Sequence, residues 1–192
     1  MDLEIRRLTP GLAQAYIRFF DETPHWENSN GDKCYCVSWR SDGSYAGNGD
    51  HWYPTRKERR KRALQFVKDG SIQGYLAYHG GRIVGWCNAT GDCQGGINYF
   101  RSHWPIEEYR ADVRVKSIFC FVIAPDMKRK GIATRLVERV CEDAAGEGFD
   151  FVEAYADKDD VNYRGPLELY IKCGFAISAE REGRVVVRKA LK

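Results

Sequence analysis

At 192 residues, with 43% hydrophobic and 30% charged residues and a formal net charge of +3, the chain reads as one domain spanning 1–192, long enough to bury a sizeable core. That charge is too small to argue for a nucleic-acid partner. No apolar run reaches the ~20 residues that cross a bilayer, and the opening MDLEIRRLTP lacks the apolar stretch of a signal peptide, so a cytoplasmic protein with no membrane partner is expected. Seven cysteines, an odd number without framework spacing, fit reduced thiols.

Leu3–Leu8 alternates apolar and charged residues, as a half-buried strand does, and Thr9-Pro10 then opens a helix over Gly11–Phe20. From Asp21 to Pro54 the periodicity is lost. Glycine, serine and asparagine are frequent there, yet Trp26, Tyr35, Trp39, Tyr45, Trp52 and Tyr53 are spread through the stretch, which reads as a lid or binding loop. Thr55–Asp69 predicts a helix with Ala63, Leu64 and Val67 inward, ended by Gly70. Its basic run at Arg56, Lys57, Arg59, Arg60, Lys61 and Arg62 invites an RNA-binding reading, but no aromatic residues are interleaved with the charges, and a solvated basic helix face is ordinary. Ile72–His79 and Arg82–Ala89 form a hairpin through Gly80-Gly81. A polar insertion, Thr90–Asp112, follows, with Gly95-Gly96, Trp104-Pro105 and acidic Glu107 and Glu108.

The chain is organised around Val115–Ala145. Ser117–Ile123 is an apolar run short enough to be a strand buried on both faces, and Pro125 stops it. After Gly131, the residues Ile132, Leu136, Val137, Val140 and Ala144 recur at helical spacing, opposite Arg135, Glu138, Arg139 and Glu142. The turn between strand and helix is Lys128-Arg129-Lys130-Gly131-Ile132-Ala133. The first N–H groups of a helix have no intrahelical partner and carry partial positive charge, so an anion there meets donors already aimed at it. Gly131 would let it approach the backbone closely, and the adjacent basic side chains supply a field of the right sign. The turn lacks the Gly-Lys-Ser/Thr ending of a Walker loop. Gly146 and Gly148 close the helix. Asp150–Ala156 predicts a further strand with Phe151, Glu153 and Tyr155 on one face, Val161–Pro166 a loop, Leu167–Lys172 a short helix, and Phe175–Glu180 with Arg184–Leu191 a terminal hairpin.

The basic turn resembles the acyl-CoA-binding motif of the GNAT N-acetyltransferase superfamily, R/Q-x-x-G-x-G/A, mapped onto Lys128, Gly131 and Ala133, with Lys128 where Arg or Gln is usual. Downstream, Pro166–Phe175 resembles the family's second signature, a short helix ending in L-Y-x-x-x-G-F. The resemblance covers roughly Ile72 to the C-terminus. It implies an α/β (α+β) fold with a largely antiparallel, splayed sheet of six to seven strands and helices on both faces. The implied activity is transfer of an acetyl group from acetyl-CoA to a primary amine, with no metal.

On that resemblance the pyrophosphate of CoA would sit on the turn Lys128, Arg129, Lys130, Gly131, Ile132, Ala133 and Thr134, and the pantetheine along Phe121, Val122 and Ile123. An N–H near Val122 would stabilise the thioester oxygen. Where the family often has an Asn contacting the pantetheine this chain has Tyr163, so Asn162, Tyr163 and Pro166 are expected nearby. Tyr170 is the expected proton donor to the departing thiolate. Glu153 is a candidate base, with Glu107, Glu108, Asp112 or an ordered water as alternatives. Trp26, Tyr35 and Trp39 would face the acceptor, a small-molecule or peptide amine. Asp21, Glu22, Glu27 and Asp32 beside these aromatics suit a cationic one. Homodimer formation is left open. The competing functions are a non-catalytic acyl-CoA sensor or interaction module on the same scaffold, and RNA binding through Arg56–Arg62. Cys34-x-Cys36 is spaced too tightly for the usual paired zinc ligands, and buried thiols are the simpler reading; Cys120 as an acyl-carrying nucleophile has no paired base at a fixed spacing.

Overall fold

The computed structural model describes residues 2–24, 33–39, 53–91, 94–101, 103–106, 112–158 and 163–192. Its strands are β1 (Glu4–Arg7), β2 (Gly74–His79), β3 (Arg82–Thr90), β4 (Val115–Ile123), β5 (Phe151–Asp157), β6 (Ala176–Arg181) and β7 (Arg184–Ala190). They form one seven-stranded sheet in the order β1-β2-β3-β4-β5-β7-β6. All neighbours are antiparallel except β4 and β5. The helices are α1 (Ala13–Glu22), α2 (Arg56–Lys68), α3 (Gln94–Arg101), α4 (Ile132–Gly146) and α5 (Leu167–Lys172).

The sheet separates two cores. On one face α4 and α5 cover Ile118, Phe121, Ala154 and Ala156. On the other, α1, α2, α3 and residues 33–39 cover Leu76, Trp86, Phe119 and Tyr155. The aromatics of this second core are stacked, Phe100 on Tyr155 with ring centroids 4.2 Å apart and Trp39 on Phe119 at 5.3 Å. α2 begins at a capping box, in which Thr55 accepts from the Glu58 N–H and Glu58 accepts from the Thr55 N–H.

Two expectations change. The first helix opens as a 3-10 turn over Pro10–Leu12 because extended Thr9 and Pro10 set its first turn, and α1 starts only at Ala13. The insertion after Thr90 contains α3, which Gly95-Gly96 conceals because glycine disfavours helix. Burial of Ile97 and Phe100 holds that helix in place.

The feature that matters for function is where β4 and β5 part. They pair only from Val115–Ile118 against Phe151–Ala154. On the other side of β4, Asn88 faces Cys120 while Ala89 faces Ile118, so Phe119 is an extra residue that bulges the strand. A bulge bends and twists its strand, and this one falls immediately after the last residue paired to β5. Beyond it β4 follows β3 to Ile123, β5 follows β7 to Asp157, and a gap opens between them at their C-terminal ends.

Candidate active site

The basic turn lies at this open end. After the 3-10 turn Pro125–Met127, Lys128 is extended, Arg129 is left-handed (φ 63°) and Gly131, the N-cap of α4, is left-handed too (φ 79°). A left-handed residue followed by helical ones turns successive N–H groups toward a common concavity. No side chain caps α4 and no acidic residue stands in its first turn. A Cβ at Gly131 would meet nothing within 4 Å. Lys128, Arg129, Lys130 and Gly131 are exposed, while Ile132 is buried and anchors the helix. The result is a set of free amide donors at a positive helix end, open to solvent and flanked by cations.

The gap itself has one set of backbone groups on offer. The Phe121 N–H donates to the Tyr163 carbonyl at 2.6 Å, away from β3, whereas the Ala124 N–H donates to Val84 on β3 at 2.9 Å. Backbone groups alternate along a strand, so Phe121 and Ile123 face the gap and Val122 faces β3. The Val122 amide is therefore inside the ladder; the groups that face the gap belong to Phe121, whose N–H is taken by Tyr163, and to Ile123. Residues 163–166 lie against this strand end, with Gly165 close to the Phe121 ring, where a Cβ would come within 3.5 Å of it. Pro166 is the N-cap of α5.

Tyr170, on α5, is fully buried, with its ring near those of Phe121 and Phe175. Its hydroxyl donates to the Arg164 carbonyl. Burial pushes its phenol well above the ordinary range.

A splayed β4/β5 pair, an uncapped glycine-led helix at the open end and a buried tyrosine beside the split can be compared with known proteins. The family model described as "Acetyltransferase (GNAT) family" matches residues 36–175. The chain belongs to the GNAT acetyltransferase family. Solved structures share the fold at low identity. A GNAT-family acetyltransferase of Streptococcus pneumoniae is 20% identical, with each chain covered at 100% and a TM-score of 0.55. An N-acetyltransferase of Thermoplasma acidophilum, solved in complex with coenzyme A, is 15% identical over 99% of each chain at a TM-score of 0.55. An acetyltransferase from Salmonella typhimurium, solved with acetyl-CoA, is 11% identical over 99% of this chain and 94% of its own at 0.54. A search of curated proteins finds no significant match.

Several residues of this GNAT chain differ from their expected roles. Glu153 is not in a cleft: it is completely buried, with one oxygen accepting from the Tyr155 hydroxyl at 2.7 Å and the other from Arg188 Nε at 2.5 Å. A carboxylate enclosed in an ion pair holds β5 to β7 and has no open path to an amine. Tyr35 is also fully enclosed, its hydroxyl donating to Asp21 at 2.7 Å and accepting from Arg56 at 3.2 Å. Trp39 is buried in the aromatic stack, and its carbonyl accepts from Asn88 at 3.3 Å. These two rings are core, Trp39 drawn inward by Phe119 on the sheet and Phe100 on α3, and Tyr35 by Phe20 on α1. Trp26 and Asn162 lie outside the described residues, as do Glu27, Asp32, Glu107 and Glu108; Asp112 is exposed.

The cysteines give no metal site among the described residues. Cys36 and Cys120 place their sulfurs 2.8 Å apart under Trp86, whose indole N–H donates to Cys36. Burial raises both thiols, which keeps them protonated and makes Cys120 a poor nucleophile. At the C-terminal end of β5 the structure also collects Tyr99, His103, Arg164 and Arg184 around Trp104, a grouping that sequence reasoning does not show. They come from separate elements, and only their meeting gives them a common meaning.

Proposed function

We propose that this GNAT protein transfers an acetyl group from acetyl-CoA to a primary amine by direct attack in a ternary complex. The observation that carries the reading is the uncapped, open N-terminus of α4 at the same end as the β4/β5 gap. Its amides from Gly131 to Thr134, with Lys128, Arg129 and Lys130 around them, suit a pyrophosphate. Phe121 and Ile123 offer the gap-facing groups to which the amides of a pantetheine arm can pair as an added strand. The Ile123 N–H takes the role of stabilising the carbonyl oxygen as charge develops, since that of Phe121 already donates to Tyr163. Tyr163 and Pro166 flank that path. In the reaction the N–C bond forms as the C–S bond breaks, and the proton lost by nitrogen balances the one gained by sulfur. With Glu153 sealed in its ion pair, the proton from nitrogen leaves by water.

Tyr170 remains the proton donor in this reading. Burial keeps it protonated throughout the neutral range, as a donor must be, and its hydrogen has to leave the Arg164 carbonyl to reach sulfur. That engagement is also the observation favouring the alternative of an acyl-CoA sensor without catalysis. Tyr170→Phe decides between them. Single-turnover transfer should slow by about 10²–10⁴, with CoA affinity nearly unchanged and stability lower by about 1 kcal/mol for the lost hydrogen bond. Because burial raises the phenol above its usual ~10, kcat at saturating amine should show no descending limb from pH 8 to 10. Stability follows the same sign: the raised folded-state value favours the folded protein below pH ~10 and this contribution is lost as pH climbs beyond it. Turnover of Tyr170→Phe at the parent rate makes the tyrosine structural. Tight acetyl-CoA binding without transfer to any amine establishes the sensor.

A further inference from the structure

At the C-terminal end of β5, on the face opposite α4, lies a cavity of about 430 Å³, a volume typical of small-molecule sites. It is bounded by α3 and the residues after it, by the end of β5, and by the turn between β6 and β7. Tyr99, His103, Trp104, Asp157, Arg164 and Arg184 line it. The guanidinium of Arg164 lies 4.7 Å from the Trp104 ring centre and that of Arg184 lies 5.1 Å from it, so one indole orients both cations.

The two arginines are differently compensated. Arg164 forms an ion pair with Asp157. Burial lowers its pKa to about 10, which leaves it charged at neutral pH. Arg184 donates to the His103 carbonyl at 3.2 Å and has no carboxylate partner among the described residues. Glu182 also lines the cavity, and its exposed carboxylate lies 3.8 Å from Arg181. Among the described residues, then, Arg164 is matched by Asp157, whereas Arg184 lies in the cavity without a carboxylate bonded to it. A planar guanidinium held by stacking keeps its N–H edge in position, and that edge matches a carboxylate.

The cavity is joined to the gap through a single dipeptide. The Tyr163 carbonyl accepts from Phe121 at the strand end, the Arg164 carbonyl accepts from Tyr170, and the Arg164 side chain reaches into the cavity. The same dipeptide thus touches both the strand end at the split and the cavity.

We infer that this cavity is the acceptor site and that it selects primary amines carrying a carboxylate, amino-acid-like molecules, with Arg184 as the specificity-determining residue. The inference rests on the acetyl-transfer reading and assigns its acceptor. It replaces the cationic amine suggested by Asp21 and Glu22: Asp21 is taken by Tyr35 and Arg60, and Glu22 lines a different cavity, between α1 and the β2–β3 hairpin.

The test uses the full chain with saturating acetyl-CoA and follows thiol release for a panel of L-amino acids and their decarboxylated counterparts. The acids should exceed the matching amines in kcat/KM by about 10-fold to 100-fold, the scale of one charge-assisted hydrogen bond. Arg184→Gln should remove most of that discrimination through KM, with kcat changed less than about threefold. Calorimetric CoA affinity of Arg184→Gln should equal the parent's, so loss of the cofactor reading is visible separately. A second measurement needs no turnover: on the CoA-saturated protein, N-acetyl-amino acids should bind and N-acetylated decarboxylated amines should bind at least about tenfold more weakly. Equal treatment of acid and amine, discrimination that survives Arg184→Gln, or no binding of either product series overturns the assignment.

Discussion

Two basic stretches in this protein have opposite fates. On α2, Arg59 is 1% exposed and donates to the carbonyls of Lys33 at 2.8 Å and Tyr53 at 2.7 Å. Arg60 and Arg56 converge on Asp21, and Arg62 lies 5.3 Å from the Tyr53 ring centre. This run is a clamp that ties α1 and residues 33–39 to the helix, although Arg60 and Arg62 stay exposed along with Lys57 and Lys61. Before α4, by contrast, Lys128, Arg129 and Lys130 have no carboxylate partner among the described residues, and the amides behind them have no cap. The difference lies in what the backbone nearby leaves unsatisfied. Carbonyls of an irregular segment draw arginines inward, whereas free N–H groups repel them and leave room for an anion.

The comparison breaks most visibly at Arg59. Arg59→Ala leaves two carbonyls without donors and opens a void beneath residues 33–39, so urea unfolding should show a loss of about 3–5 kcal/mol. Lys57→Ala, two residues away on the exposed side, should stay within about 0.5 kcal/mol of the parent. A cost below about 1 kcal/mol for Arg59→Ala would mean that the basic run is surface charge after all.

The next largest effect sharpens the other half. Gly131→Glu places a carboxylate where the pyrophosphate is proposed to sit, and calorimetry should show CoA affinity falling by at least about 10², or 2.7 kcal/mol. The left-handed backbone adds a strain of about 1–2 kcal/mol to that variant's stability, so Gly131→Asn, which tolerates this conformation and adds no charge, is the control. Asn should bind CoA within about tenfold of the parent. Equal loss in both variants would assign the effect to strain and remove the anion site.

Much of the α4 half was legible in the sequence because its signals are local. The run Ser117–Ile123, Pro125, Gly131 and the helical spacing from Ile132 to Ala144 all report on neighbouring residues, and the strand, turn and helix follow in that order. The other half was not legible, since its structure is decided by partners distant in sequence. Tyr35 and Trp39 look like lid residues until Asp21, Phe100 and Phe119 are brought to them, and Glu153 looks available until Arg188 arrives from β7. The bulge at Phe119 is likewise invisible along one strand, because an extra residue exists only by comparison with the strand beside it. It also decided which N–H groups face the gap, and so turned the Val122 N–H toward β3.

The smallest expected effect tests the two stretches against each other directly. An exposed lysine near a bound phosphate contributes only about 0.3–1 kcal/mol at a helix end, and salt screens it further. Lys128→Ala and Lys130→Ala should therefore each weaken CoA by about two- to fivefold, and the loss should shrink as ionic strength rises from 50 mM toward 500 mM. Lys57→Ala and Lys61→Ala, with the same charge change on α2, should leave CoA affinity alone at every salt concentration. Neither pair should move the unfolding midpoint appreciably, as all four side chains are exposed and the Lys130 contact to the Met127 sulfur is long, 3.7 Å. The α2 pair also tests the RNA reading, because a surface that binds RNA through Lys57 and Lys61 would lose affinity with a steep salt slope on their removal. If CoA binding proves equally sensitive to both pairs, long-range potential governs the cofactor, and the uncapped amides of α4 lose the special place given to them here.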